Sequence, residues 1–264
     1  MHEPELVDYN RIAWDHLAAN NNEWTQPVSP ETIQRARQGD WEIILTPEKA
    51  VPKNWFPELQ NANILCLAGG GGQQAPLLAA AGANVTTLDN SPAQLARDRE
   101  VARREDLQIS TVLSPMDDLT AFADQTFDLI IHPCSNCFAP AIRPVWNEAF
   151  RVLRPGGELL AGFNNPVRYL FDSFEMQKGK LVVNHRIPYS DDRDLSPENR
   201  QKLLDNRQPM EFGHSLTDQL AGQLDAGFVI RDLYEDSWKI PEEPLSEYMN
   251  VFIATRATRL SENT

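Results

Sequence analysis

The sequence lacks a long apolar run, a secretory signal and the cysteine content of a disulfide-rich protein. No apolar run reaches the roughly 18 residues that a membrane span needs, and the opening residues are acidic rather than apolar. Three cysteines, an odd number among 264 residues, argue against a disulfide framework. We therefore expect a soluble protein of the cytoplasm with no membrane partner.

Basic residues are also scarce in this chain. Lysine and arginine number 24 against 38 aspartates and glutamates, so the formal net charge is −14. A chain that negative repels phosphate backbones unless it carries a local basic patch. The densest basic stretch, residues 97–104, is interrupted by Asp98 and Glu100, which favours a solvated helix face over a nucleic-acid patch. We expect no nucleic-acid partner.

Cys134 and Cys137 form a single C-x-x-C pair. A zinc site would need further ligands at similar spacing, and the sequence contains no second pair. A redox C-x-x-C normally opens a helix, whereas this pair follows Pro133 in a predicted loop. We therefore expect packing roles for these thiols and no metal site.

The chain divides into zones that differ in composition and in predicted secondary structure. Residues 1–60 contain a predicted helix at Val7–Ala19 and four of the six tryptophans, which are Trp14, Trp24, Trp41 and Trp55. These rings either roof a site, where they would suit a planar or cationic substrate, or form a small satellite core. Residues 166–212 are irregular and polar. We expect an N-terminal lid segment over 1–60 and one domain over 61–264, with a substrate-lid insert at about 166–212.

Strands and helices alternate between these zones. The predicted strands are Asn63–Leu67, Asn84–Leu88, Ile109–Leu113, Phe127–Ile131, Glu158–Phe163, Phe228–Leu233 and Val251–Ala254. Helices between the first five strands indicate a parallel sheet covered on both faces. The last two strands are separated by two prolines and no helical pattern, which favours antiparallel pairing. The predicted fold is a doubly wound, Rossmann-like α/β sheet of seven strands, with an antiparallel last strand.

A further helix is expected after Ser215, close to the end of the chain. Leu216, Leu220 and Leu224 lie at four-residue spacing, Ser215 suits the N-cap, and Gly227 suits the end.

The loop after the first strand contains four consecutive glycines, residues 69–72. Such a run is entropically costly and indicates that a ligand approaches the backbone closely. The loop leads into a helix, whose free N–H groups attract polar ligands. Asp89 ends the second strand, where a carboxylate can accept both hydroxyls of a ribose. The pair predicts nucleoside binding.

Five segments together resemble the class I S-adenosylmethionine-dependent methyltransferases, in particular their small-molecule branch. They are residues 64–72, 85–92, 114–131, 151–157 and 215–228. Each motif is weak alone, whereas five in the family's order are specific. The resemblance implies methyl transfer from S-adenosylmethionine to a small-molecule acceptor by in-line displacement, with S-adenosylhomocysteine as the product.

The resemblance also implies roles for individual residues. The glycine loop would pack against the methionine part of the cofactor through Ala68, Gly69, Gly70 and Gly72. Asp89 would hold the ribose hydroxyls, and Asn90 would flank the adenine. The backbone of Met116 and the side chain of Asp117 would contact the adenine, and His132 would border the methyl group and the substrate.

Three positions depart from the family pattern. Cys66 stands where the family usually has an acid, Ala68 where it has glycine, and Pro115 where it often has aspartate. These departures imply weaker cofactor binding than is typical, or a substituting role for Asp117. They also leave open an alternative function, in which the protein binds S-adenosylmethionine or S-adenosylhomocysteine without catalysing methyl transfer.

Several polar side chains are candidates for the chemistry. His132 follows the fourth strand and is either a general base or a histidine held by backbone groups. The expected substrate contacts are Asn136, Trp14, Tyr189 and His214. Two other enzyme classes stay open, a methyltransferase of tRNA or protein and a nicotinamide-dependent oxidoreductase. The sequence does not contain the G-x-G-x-x-G fingerprint that the oxidoreductase class would need.

Overall fold

A computed structural model describes residues 1–239 and 243–261 of the chain. In this part of the chain, seven strands form one sheet: β1 (Asn63–Leu67), β2 (Asn84–Asp89), β3 (Ile109–Leu113), β4 (Phe127–His132), β5 (Leu153–Asn164), β8 (Phe228–Asp236) and β9 (Phe252–Arg259). Their order across the sheet is β3-β2-β1-β4-β5-β9-β8. Strands β1 to β5 pair in parallel, and β9 is antiparallel to both neighbours. The predicted sheet is confirmed. A small antiparallel pair, β6 (Tyr189–Ser190) and β7 (Phe212–Gly213), lies apart from it.

The α-helices of the described residues are α1 (Glu3–Ala19), α2 (Pro30–Arg37), α3 (Gln74–Ala80), α4 (Pro92–Glu105), α5 (Arg143–Val152), α6 (Ser173–Met176), α7 (Asp191–Asp194), α8 (Pro197–Asp205) and α9 (Gly222–Ala226). Helices α3, α4, α5 and α9 contact strands of the large sheet. Alternate residues of β1 enter opposite cores, because successive strand side chains point to opposite faces. Ile64 packs in a cluster with Leu78 of α3, and Leu65 packs in a second cluster with Trp146 of α5. None of the helices in the described residues could cross a lipid bilayer.

Part of the N-terminal segment is built into the core. Ile43, Leu45 and Trp55 are almost completely buried and pack in the same cluster as Ile64. Leu45 crosses directly over Gly162 of β5, where a side-chain Cβ would collide with the Leu45 carbonyl oxygen. Glycine at position 162 therefore permits this crossing, and residues 43–55 are not separable from the fold.

The late helix differs from the expectation based on its leucines. A π-helical segment, Thr217–Ala221, precedes α9, and Leu216 and Leu224 are exposed. The buried positions are instead Gln219, Gly222 and Gln223. A Cβ at Gly222 would lie 2.8 Å from the ring of Trp146. Close helix packing and amide hydrogen bonds therefore select the buried face, and the leucine spacing does not.

Candidate active site

A cavity of about 270 Å³ opens at the carboxyl edge of the sheet. Its wall contains residues that directly follow five neighbouring parallel strands: 68–70 after β1, Asp89 and 90–91 at β2, 115–117 after β3, 133–135 after β4, and Asn164 at the end of β5. Parallel α/β sheets bind their ligands at this edge, near the switch in strand order. The switch lies here between β1 and β4, at the middle of the cavity.

The glycine loop holds its shape through close contacts. The Gly70 N–H donates to Asp89 Oδ2 at 3.0 Å, and a Cβ at position 70 would lie 2.8 Å from the Cβ of Gln94. Ala68 adopts a left-handed backbone with φ +47°, a conformation that glycine accepts more readily than alanine. The family's usual glycine at position 68 thus has a conformational reason.

Asp89 is a carboxylate at the cavity wall held by two backbone donors. Its Oδ1 accepts from the Ser91 N–H at 2.8 Å, and its Oδ2 accepts from Gly70. Desolvation by burial raises the Asp89 pKa to about 6, although these two hydrogen bonds act to lower it. Asp89 is therefore ionised, and a strong hydrogen-bond acceptor, only above about pH 6.

A second carboxyl group, that of Asp98, is fully buried and hydrogen-bonds to the glycine loop. Asp98 of α4 accepts the Gly72 N–H through Oδ1 at 3.2 Å, and burial raises its pKa to about 8. Burial also raises the pKa of the Cys66 thiol, with Asp98 contributing. Gly72 lies against α4, where a Cβ would lie 3.0 Å from the Arg97 carbonyl oxygen, and it does not line the cavity.

Aromatic rings line much of the cavity. Trp14 of α1 meets the ring of Phe138 edge to face at 5.1 Å between centroids. Trp24 and Trp238 lie 5.6 Å apart, and Trp238 contacts Phe252 at the same distance. All five rings line the cavity, whereas Trp41 and Trp55 pack elsewhere, against Phe56 and Tyr234. The N-terminal tryptophans thus divide between the cavity and the core.

The sequence of residues 65–161 matches the methyltransferase domain family. The chain is 49% identical to the uncharacterized methyltransferase YbaJ of Bacillus subtilis, over 97% of this chain and 99% of that protein. The chain belongs to the S-adenosylmethionine-dependent methyltransferase family. A solved methyltransferase from Mesorhizobium loti shares the fold, with a TM-score of 0.62 and 20% identity over 78% of this chain and 95% of its own. One from Listeria monocytogenes, with a TM-score of 0.58 and 16% identity, covers 79% of this chain and 96% of its own.

The methyltransferase has unpaired acceptors that suit its cofactor, S-adenosylmethionine. The side-chain oxygens Gln74 Oε1 and Gln94 Oε1 are buried, and no described residue donates a hydrogen bond to them. Both glutamines line the cavity beside the glycine loop. Buried acceptors without partners are costly, and the hydroxyls and ammonium group of a nucleoside with an amino-acid tail are matching donors. The residues present therefore fit this cofactor.

Most of the predicted cofactor residues line the cavity, and His132 does not. The cavity wall includes Ala68, Gly69, Gly70, Asp89, Asn90, Met116 and Asp117. His132 is fully buried, with Nδ1 2.9 Å from the Leu67 carbonyl oxygen and its ring against Trp146. Burial lowers the His132 pKa to about 4. This geometry favours a neutral, structural histidine and gives no support to a general base at this position.

Of the four predicted substrate contacts, only Trp14 lines the cavity. Asn136 and Gln219 exchange amide hydrogen bonds at 3.0 and 3.3 Å, and the His214 ring lies 3.2 Å from the Asn136 carbonyl oxygen. The Tyr189 hydroxyl donates to Asp191 at 2.7 Å. Asn136, His214 and Tyr189 therefore hold the surrounding loops in place.

Other polar residues of the cavity have no signal in the sequence. Asn164, Arg168 and Glu211 line it. Cys134 and Cys137, for which the sequence predicted packing roles, line it as well. Arg168 and Glu211 lie in the polar zone at 166–212, and nothing in their spacing marks them. The only sequence-based indication for Arg168 and Glu211 was the prediction that residues 166–212 form a substrate lid.

Proposed function

We propose that this methyltransferase transfers the methyl group of S-adenosylmethionine to a small molecule held inside the cavity. The observation that carries the proposal is the roof over the carboxyl edge of the sheet. Trp14 and Trp24 of the N-terminal segment meet Phe138 and Trp238 there. An acceptor in a roofed volume of about 270 Å³ is a small molecule, whereas a tRNA or a protein surface needs an open approach.

The proposed cofactor end of the cavity consists of the residues that follow β1, β2 and β3. Asp89 would accept the ribose hydroxyls, and residues 115–117 would border the adenine. Residues 68–70 would lie along the methionine part, with Gln74 and Gln94 accepting from its ammonium group. When bound, the cofactor supplies an electrophilic methyl group on a sulfonium. The chain aligns the acceptor with that methyl group and excludes water.

The N-terminal segment is proposed to act as the lid. Asn90 donates to the Val7 carbonyl oxygen at 3.0 Å, and Asp15 caps α4 by accepting from Ser91 and Ala93. On the other side, Asn10 donates to the carbonyl oxygens of Phe138 and Met210. Helix α1 thus connects both ends of the cavity.

Calorimetric titration with S-adenosylmethionine, S-adenosylhomocysteine and NAD tests the cofactor end. We expect micromolar affinity for the first two and none for NAD. If protein freed of copurified ligand binds none of the three ligands, we would conclude that Cys66, Ala68 and Pro115 have abolished cofactor binding.

The acceptor class is tested with methyl-labelled cofactor and a cell extract split by ultrafiltration. We expect label to enter the low-mass fraction. Label in RNA or protein would refute the proposal, and binding without any transfer would indicate a non-catalytic protein.

Removing residues 1–20 should reduce the transfer about 100-fold, or ~2.7 kcal/mol, while the circular dichroism of the sheet persists. Full transfer by that variant would eliminate the lid. Cytoplasmic residence stays a prediction.

A further inference from the structure

The end of the cavity away from β3 carries a polar cluster with no assigned role. The parallel strands run β3-β2-β1-β4-β5 across the sheet, so Asn164 at the end of β5 lies on the opposite side from residues 115–117. On the proposed function, adenine occupies the β3 side and the acceptor occupies the β5 side. We call Asn164, Arg168, Tyr169, Glu211 and Glu243 the acceptor-end cluster.

Glu211 is held rigidly within the acceptor-end cluster. The Tyr169 hydroxyl donates to Glu211 Oε2 at 2.7 Å, and the Asn164 amide donates to that hydroxyl at 2.8 Å. Arg168 Nη1 lies 3.5 Å from the same carboxylate oxygen. No described residue donates a hydrogen bond to Glu211 Oε1, and Glu211 lines the cavity. One oxygen is thus fixed and the other is open to a ligand.

The charges of the acceptor-end cluster do not balance. Arg168 Nε donates to Glu243 at 3.0 Å, and the Glu243 side chain is only 4% exposed. One guanidinium therefore serves two carboxylates, Glu211 and Glu243, which leaves a formal charge of −1. Glu211 is half-buried, with 32% of its side chain exposed, and it shares its counter-ion with Glu243. A half-buried carboxylate whose charge is only partly balanced favours a ligand that brings a positive charge or a strong donor, and disfavours an anion.

The neighbouring aromatic wall indicates the same ligand chemistry independently. Phe138, Trp238 and Phe252 line the cavity together with Arg168 and Glu211. Aromatic faces attract cations and bury planar apolar groups. A ligand with an apolar or aromatic body and a cationic head would satisfy both the rings and the open carboxylate.

We propose that the acceptor is an amine with an apolar body, and that Glu211 binds its ammonium group and accepts its proton. Transfer of one N–H proton to Glu211 Oε1 leaves a nitrogen lone pair. That pair forms the new bond to the methyl carbon as the bond from this carbon to the sulfonium sulfur breaks, and sulfur keeps the bonding electrons. The products are an N-methyl ammonium ion, the neutral thioether S-adenosylhomocysteine and protonated Glu211.

Three ligands that share a phenylethyl group and differ only in their polar head group test which head group the wild-type protein prefers. 2-Phenylethylamine, 2-phenylethanol and 3-phenylpropionate are titrated with S-adenosylhomocysteine present, and quenching of Trp14, Trp24 and Trp238 fluorescence reports binding. We expect the amine to bind at least about tenfold more tightly than the acid, with the alcohol between them. An alcohol or acid that binds as tightly as the amine, or no binding by the amine, overturns the proposal.

Glu211→Gln keeps the shape of the side chain and removes its charge. We expect about tenfold weaker binding of the amine, unchanged binding of the alcohol, and unchanged affinity for S-adenosylhomocysteine. Glu198→Gln, an exposed change on α8 that breaks a pair with Lys202, should behave as wild type and serves as the charge control. An amine preference that survives Glu211→Gln excludes Glu211 as the amine site. Loss of S-adenosylhomocysteine binding by the wild type would count against the cofactor end instead.

Discussion

The two ends of the cavity are built in different ways. The proposed cofactor end uses residues 68–70, Asp89 and 115–117, which lie within fifty residues of one another and follow three adjacent strands. The proposed acceptor end joins Asn164, Arg168 and Glu211 to rings from distant parts of the chain. A hydrogen bond from the Tyr9 hydroxyl to the Gln208 carbonyl oxygen connects helix α1 to the segment just before Glu211. Backbone geometry forms the first end, and long-range side-chain packing forms the second.

The ends also differ in how they hold buried carboxyl groups. At the cofactor end, burial raises the pKa of both Asp89 and Asp98, and backbone N–H groups are their donors. At the acceptor end, burial acts to lower the pKa of Arg168, but Glu211 and Glu243 raise it. Burial thus favours the protonated, neutral forms of Asp89 and Asp98, whereas the neighbouring carboxylates favour the charged form of Arg168.

The largest expected effect follows from Asp98 and concerns stability against pH. Because its pKa is raised from 3.8 to about 8 in the folded state, the folded protein binds more protons than the unfolded chain between those values. The contribution of Asp98 to stability is therefore highest near the lower limit and falls as pH rises, by up to ~1.4 kcal/mol per pH unit. Asp98→Asn should remove this part of the slope in urea unfolding of the ligand-free protein.

A matched change on the same helix isolates the Asp98 effect. Glu100→Gln alters an exposed carboxylate of α4 that lies 3.4 Å from Arg97, and it should keep the wild-type slope. Asp89 and Asp191 also have raised pKa values, so the difference between variants is the informative quantity. An Asp98→Asn slope equal to that of wild type would mean that Asp98 is charged in the folded protein.

The second effect concerns His132, which lies between the two ends. His132→Ala should lower the free energy of unfolding by about 3 kcal/mol, because a large, fully buried ring is removed. His132→Asn retains a donor for the Leu67 carbonyl oxygen and should keep its methyl transfer into the low-mass extract fraction. Loss of transfer by a stably folded Asn variant would restore His132 as a catalytic base.

The sequence predicts the cofactor end because local chemistry determines it. A glycine run, a strand end and an acid at fixed spacing give Gly70 and Asp89 their positions once the parallel sheet is recognised. Packing between distant segments determines the rest, which spacing does not reveal. Asn136 pairs with Gln219 across 83 positions, and the late helix buries Gln223 and exposes Leu224. Glu211 is likewise positioned by Tyr169 and not by its own neighbours.

The third effect tests whether the cofactor end acts independently. Asp89→Ala should weaken S-adenosylhomocysteine binding at least tenfold, ~1.4 kcal/mol, because charge-assisted hydrogen bonds are lost. With the Asp89 pKa at about 6, wild-type affinity should also fall as pH decreases below that value. Glu211→Gln is the control from the other end and should bind normally. Unchanged calorimetric affinity in Asp89→Ala would remove this residue from the site.

The smallest effect separates backbone strain from side-chain packing in the glycine loop. Ala68 has φ +47°, which costs a non-glycine residue roughly 1–2 kcal/mol, whereas glycine adds up to ~1 kcal/mol of unfolded-chain entropy. Ala68→Gly should therefore raise the free energy of unfolding by about 0.5 kcal/mol. Ala79→Gly, in the ordinary helical backbone of α3, should lower it by about 1 kcal/mol. If both variants lose the same stability in urea, Ala68 is not strained in the folded protein, and the alanine at this position reflects packing.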